Sequence, residues 1–496
     1  MIQDFDKALY EASMHHQAFI QMTALKGQFD PQVAAQHVQA TENIYIELLN
    51  MDIDNKQVVY QLATLYLQTN RNSLAIKLLD PLSKEADPRI EIFNNLGAAY
   101  RNEHYNDKAR EAFEKALAIE AHPDVLANLC ALWVNEGNPS TGIPYGRMCL
   151  AQDATHKQGR WNLGLLLLEN KEYEEGFNFY AQGFFTGDRI IRSYKDKDGL
   201  EARFWDGEDL AGKTIVLHGE QGIGDELLFM QFVLAFMEAN PNTKVVLDVH
   251  PRLCTMIQRS VNNPNILGIF PTRKSKETPE WNQHIPVDYK DGMGSLPRFY
   301  FNSRGKYSGW LKPKEELVQK YKGILKSFKE HEDKAQQPVI GIAWTGGKKK
   351  TRVDLRSISL QELSPLISQD ALFVSLEYPD AGAELEVGRL YKEKDLVVHH
   401  WPDVVQNFDY EHSVALAAAC DLIICVNTSM VHVCGSMGQM CWTLTPHGHA
   451  WRYGLKDKMN PFYNTVVQYH QNEDEQWERI IRTVSQDLKN YIRKFK

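Results

Sequence analysis

The sequence predicts a multidomain chain: an all-α solenoid of helical repeats, followed by a pair of doubly wound α/β halves. Three observations predict it. A length of 496 residues calls for about three domains at roughly 150 residues each. In the first third, a set of small and apolar residues recurs at a spacing of 33 to 34 positions, as stacked helical units require. Beyond residue 200, short apolar runs alternate with helical patterns, which is how parallel sheets with crossover helices are spelled.

The composition is that of an ordinary globular protein, because 43% hydrophobic and 24% charged residues supply buried cores and exclude the disordered and collagenous classes. With 55 basic against 64 acidic residues the net charge is −9. That sign argues against holding nucleic acid by bulk electrostatics. The start MIQDFDKALY is acidic and broken by charge, so no export signal is expected. The longest apolar run, Val414 to Val426, is interrupted by Asp421, so no membrane span is expected. Seven cysteines without a CxxC pair fit a reducing, cytoplasmic setting and are read as buried apolar side chains.

The repeat is clearest where Leu96, Gly97, Tyr100, Ala109, Phe113 and Ala116 follow one another. Thirty-four residues earlier, Leu62, Ala63, Tyr66, Ala75, Leu79 and Leu82 spell the same pattern. Leu129, Cys130, Trp133, Gly142, Gly146 and Cys149 repeat it, and Leu163, Gly164, Leu167, Gly176, Tyr180 and Gly183 do so again. This spacing resembles the tetratricopeptide repeat, with a degenerate helix near Asn43 to Leu48 as the N-terminal cap. The solenoid is assigned to residues 1–190. Its groove would bind or position a partner, and it carries no chemistry of its own.

Strands are expected at Thr214 to His218, Lys244 to Val249 and Leu267 to Phe270, making a first half over 191–335. A second half over 336–496 is expected to hold Val339 to Trp344, Leu372 to Leu376, Leu396 to His400, Asp421 to Val426 and Cys441 to Thr445. The Lys/Glu-rich helix between Trp310 and Gln337 connects them.

Ligands of open α/β sheets sit where strands end and helices begin, so three junctions are singled out. In the first, Glu220, Gln221, Gly222 and Gly224 lead to Asp225 at a helix start, where a carboxylate is stabilised and also able to cap. The second, Thr345 and Gly346 followed by Lys348, Lys349, Arg352 and Arg356, could clamp phosphates. The third is Asn427, Thr428, Ser429 and Met430 with His432 one turn on, where free N–H groups would make an anion site. Asp52-Ile53-Asp54 and Asp196-Lys197-Asp198 match a metal-binding DxD spelling but end no strand, and His447-Gly448-His449 has no completing ligands.

Together the GEQGIGDE junction, the GIAWTGG strand end and DLIICVNTSMVHVCGSMGQMCWTLTP resemble bacterial tetratricopeptide-repeat proteins with a C-terminal GT-B glycosyltransferase domain. The class is heptosyltransferase-like and related to glycosyltransferase family 9. A more distant fold-level analogy leads to the O-linked N-acetylglucosamine transferases. The resemblance implies that Asp225 lies near an acceptor, and that Asn427, Thr428 and His432 correspond to an Asp-Thr-x-x-x-His diphosphate signature. Asn427 stands where that class has aspartate. Trp451 and Arg452 would line the cleft.

The implied activity is a metal-independent, inverting transfer of a sugar from a nucleotide-diphosphate donor to a protein or glycan, with Asp225 as base and no cofactor. The repeat groove would recruit the acceptor or a second copy of the chain. The alternatives are an inactive scaffold or binding protein, which Asn427 favours, and a transferase acting on nucleic acid, which the charge disfavours.

Overall fold

A computed structural model of the protein describes residues 4–24, 30–186, 189–274, 277–347, 353–377, 382–401, 410–473 and 476–495. By contact, the chain divides into two compact units. One comprises residues 1–167 and 182–188, the other 168–181 and 189–496.

The first unit is helical. Helices α1 (Phe5–Ala24) and α2 (Pro31–Met51) precede three hairpins, α3 (Lys56–Gln68) with α4 (Asn72–Leu82), α5 (Ile90–Asn102) with α6 (Asn106–Ile119), and α7 (Pro123–Glu136) with α8 (Pro139–Gln152). The degenerate cap expected near Asn43 is thus the end of a long helix with a second helix before it. The repeat glycines are explained by contact: a Cβ on Gly97 would lie 2.6 Å from the Phe113 ring, and one on Gly142 would lie 2.5 Å from Leu166. Helix α9 (Lys157–Glu169) follows in register, whereas α10 (Tyr173–Tyr180) falls in the second unit.

The second unit holds two five-stranded, all-parallel sheets. In the first, β1 (Arg203–Phe204), β2 (Thr214–His218), β3 (Lys244–Asp248), β4 (Ile266–Phe270) and β5 (Tyr289–Gly292) run in the order β1-β5-β2-β3-β4. In the second, β6 (Val339–Ala343), β7 (Leu372–Ser375), β8 (Leu422–Val426), β9 (Cys441–Thr445) and β10 (Val466–His470) run in the order β10-β9-β8-β6-β7. From β2 in the first sheet and from β6 in the second, the chain runs outward to one edge and then returns to the other side of that strand, with β1 beyond β5 at the far edge of the first sheet. Crevices therefore open at the carboxyl ends of β2 and β5 and of β6 and β8.

Leu396 to His400 forms no strand: among the described residues it contributes one bridge, His399 to Val374 at the β7 edge. Conversely β5, spelled YKDG, is entirely buried. Lys290 donates to the Arg192 carbonyl at 2.9 Å and pairs with Glu201, and Asp291 accepts from Ser295 at 2.7 Å. Paired charges replace the apolar pattern there.

Helix α11 (Ile223–Ala239) is apolar on nearly every face, because it leaves β2 and packs against α12 (Ser429–Met437), the helix that leaves β8. It joins the two halves. The C-terminal α13 (Trp477–Ile492) buries Trp477, Ile480, Ile481, Val484 and Leu488 in the core of the second sheet. All seven cysteines are buried and free. No helix among the described residues is long and apolar enough to cross a membrane.

Candidate functional site

The site is built where α11 and α12 begin. Gly224, in the first turn of α11, faces α12 so closely that a Cβ there would lie 2.7 Å from His432 Cδ2 and 3.3 Å from Ser429 Cα. The first and third junctions therefore meet. Asp225 caps its own helix by accepting from the Gly222 N–H at 3.0 Å. Its other oxygen forms an ion pair with Arg452, from the segment after β9. The two side chains are 19% and 15% exposed, so the pair lies at the edge of the crevice. Capping and cross-junction pairing coexist in one carboxylate.

The loop before Asp225 is fixed by deeper charges. Buried Glu220 accepts from Arg189 at 2.7 Å and from the Gly294 N–H at 2.9 Å, and the same guanidinium donates to Ser295. Burial raises the Glu220 pKa against the opposing pull of Arg189. Gln221 accepts from Arg452 at 2.9 Å and from the Tyr180 hydroxyl at 2.6 Å, and its carbonyl accepts from Arg273 at 2.7 Å. Glu226, next to Asp225, is buried. It pairs with Arg273 at 2.9 Å and accepts from the His250 N–H, with burial pushing its pKa up to about 7.

At the third junction, Thr428 caps α12, its hydroxyl accepting from the Met430 N–H at 3.2 Å. The Ser429 hydroxyl is 3.0 Å from that of Tyr410. His432 is 4% exposed and lies 3.2 Å from the Tyr463 hydroxyl, and burial lowers its pKa to about 4, so its ring is neutral near pH 7. Asn427 is 1% exposed. Its Oδ1 accepts from Thr443 at 2.9 Å and from Thr445 at 3.1 Å. Its side chain thereby ties the loop to β9.

At the second junction, Arg356 crosses to the third, donating to the Asn427 carbonyl at 3.1 Å. The backbone N–H groups at this junction have protein acceptors. Those of Trp344 and Thr345 go to Glu377, whose pKa burial raises to about 7, and that of Gly346 goes to Ser357 at 3.0 Å. Lys348, Lys349 and Arg352 lie outside the described residues.

Trp451, expected to line the cleft, is enclosed by other rings. It is 4% exposed and packs among Phe177, Tyr180 and Phe462, with ring centroids 5.6 to 5.7 Å apart. What converges is Asp225, His432, Arg452 and Arg356, all of which act electrostatically on each other or on buried Tyr453. One carboxylate, two guanidiniums, one neutral imidazole and a helix N-terminus thus share one crevice. Such a set suits an anionic ligand beside a group able to accept a proton. Sequence reasoning missed Tyr180, Arg189 and Glu377, because their roles depend on partners remote in sequence.

Residues 90–123 match the tetratricopeptide repeat family. The chain is 24% identical over 489 residues to protein FlbA of Caulobacter vibrioides, covering 88% of this chain and 79% of that protein. A glycosyl transferase family 9 structure from Veillonella parvula aligns at 12% identity, covering 58% of this chain and 99% of its own, with a TM-score of 0.39. A thermophilic TPR protein from Thermus thermophilus aligns at 16% identity, covering 35% of this chain and 90% of its own, with a TM-score of 0.29.

Proposed function

We propose that the chain is a glycosyltransferase that moves a sugar from a nucleotide-diphosphate donor to a protein or glycan acceptor. The observation that carries this reading is the approach of Gly224 to His432, which sets Asp225 from one half beside Arg452 from the other.

The donor's diphosphate would lie at the α12 N-terminus, between Arg356 and Arg452, where charge-assisted hydrogen bonds and the helix dipole stabilise negative charge. As the acceptor oxygen attacks the anomeric carbon, the bond to the diphosphate breaks. Its negative charge then grows against those two guanidiniums. The acceptor proton passes to Asp225, which is released from Arg452 as the phosphate takes that cation over. One displacement of this kind inverts the anomeric centre. No metal enters the scheme, since the cations named are side chains.

The repeats would recruit the acceptor, and the seven free cysteines suit a cytoplasmic setting. A second reading, an inactive binding module, is favoured by Asn427 facing Thr443 and Thr445 and by the N–H groups already held by Glu377. A thermal-shift and hydrolysis panel of UDP-, GDP-, ADP- and CMP-sugars separates them. Stabilisation with consumption supports the transferase, and stabilisation without consumption supports the binding module.

A further inference from the structure

In the repeat register Tyr180 is a packing position, yet its helix belongs with the α/β unit. Helix α10 engages both halves there. Tyr173 stacks on Phe301 with centroids 4.1 Å apart, Lys171 pairs with Asp457 at 2.7 Å, and Phe177 and Tyr180 pack on Trp451. Tyr180 is wholly buried, and a phenylalanine would fill the same aromatic space.

Its hydroxyl does something a phenylalanine could not. It donates to Gln221 Oε1 at 2.6 Å, and that same oxygen accepts from Arg452 Nη2 at 2.9 Å. A guanidinium has no acceptor, so the Gln221 amide must present its oxygen to Arg452. A second donor on that oxygen holds the amide in this orientation, and Arg452 in turn pairs with Asp225.

We infer that Tyr180 is a positioning residue: through Gln221 it orients the Arg452 guanidinium that meets Asp225 and, on the reading proposed above, the donor's diphosphate. The last helix of the repeat series is then part of the transfer site.

The test uses the full chain and whichever of UDP, GDP, ADP or CMP the parent binds. Affinity and thermal midpoint are measured for Tyr180→Phe, Gln221→Ala and the double variant. Loss of one hydrogen bond to a charged relay should weaken nucleotide binding about five- to tenfold in each single variant. The double variant should lose no more than Gln221→Ala alone, because both changes break one chain of contacts. A purely structural role for Tyr180 would lower the midpoint and leave affinity unchanged.

Parent-like affinity in Tyr180→Phe, or fully additive losses, overturns the positioning role and leaves the transferase reading standing. If Tyr180→Phe fails to fold, Gln221→Ala decides: weakened binding supports the relay and unchanged binding overturns it. A parent that binds none of the four nucleotides overturns both readings.

Discussion

Gly224 and His432 are in contact across the two α/β halves, and the contact exists because position 224 has no side chain: a Cβ there would sit 2.7 Å from the imidazole. The nearby Ser429 backbone at 3.3 Å leaves little room for retreat. We predict that Gly224→Ala destabilises the α/β unit by about 1–3 kcal/mol, as overpacking does, and weakens nucleotide binding. Gly323→Ala is the control. That glycine sits in the helix Glu315–His331 with nothing within 4 Å of an added Cβ, so the change should stabilise by roughly 0.5–1 kcal/mol. Paired thermal melts check the two, and equal effects would refute the contact.

Buried His432 has its pKa lowered from 6.5 to about 4. Between those values the unfolded chain binds a proton that the folded one does not, so this group's contribution to stability falls as the pH drops from 6.5 toward 4. At pH 4.5 the loss is about 2 kcal/mol for this one group. We predict that His432→Gln removes that portion. Its stability deficit relative to the parent should shrink between pH 7 and pH 4.5 in denaturant titrations, and a deficit constant over that range would contradict the assignment.

Arg189 and Glu220 form an ion pair with almost no exposure, and α10 lies with the α/β unit. We predict that a fragment of residues 168–496 melts cooperatively, while one of residues 192–496 does not. The shorter fragment strands Glu220 without its cation, which costs about 3–5 kcal/mol, and loses Phe177 and Tyr180 from the ring packing around Trp451. Indistinguishable melting of the two fragments would place the boundary after residue 191 instead.

Arg356 reaches the carbonyl of Asn427 at the start of α12. We predict that Arg356→Ala weakens nucleotide-sugar binding by roughly ten- to a hundredfold, the cost of one charge-assisted contact of about 1.5–3 kcal/mol. Isothermal titration reads this directly. Unchanged affinity would remove Arg356 from the donor site.

Much of the frame is legible in the sequence, for identifiable reasons. The strand Thr214 to His218 is read to the residue because a buried central strand needs an unbroken apolar run. The Gly224-Asp225 turn is legible because a glycine-rich strand-to-helix junction is a local feature. The strand Tyr289–Gly292 is not legible, since buried Lys290 is neutralised by Glu201, 89 positions away in sequence, and buried Asp291 is held by the Ser295 hydroxyl beyond the strand's end.

The same limit applies within the site. Side-chain direction at Asn427 is set by the Thr443 and Thr445 hydroxyls of the next strand. Burial of Trp451 depends in part on Phe177 and Tyr180, more than two hundred and fifty residues earlier. A motif gives the position of a residue, whereas its neighbours give the direction in which it points.

In the proposed transfer, Asp225 accepts the acceptor's proton beside a donor held by Arg452 and Arg356. Its most direct test is single-turnover transfer by Asp225→Asn with the donor identified in the nucleotide-sugar panel, alongside the donor Kd. The expected rate is lower by about 10² to 10⁴. The Kd should be unchanged or tighter, since Arg452 loses its carboxylate competitor. A correctly folded Asp225→Asn protein that transfers within a few-fold of the parent rate would rule Asp225 out as the base.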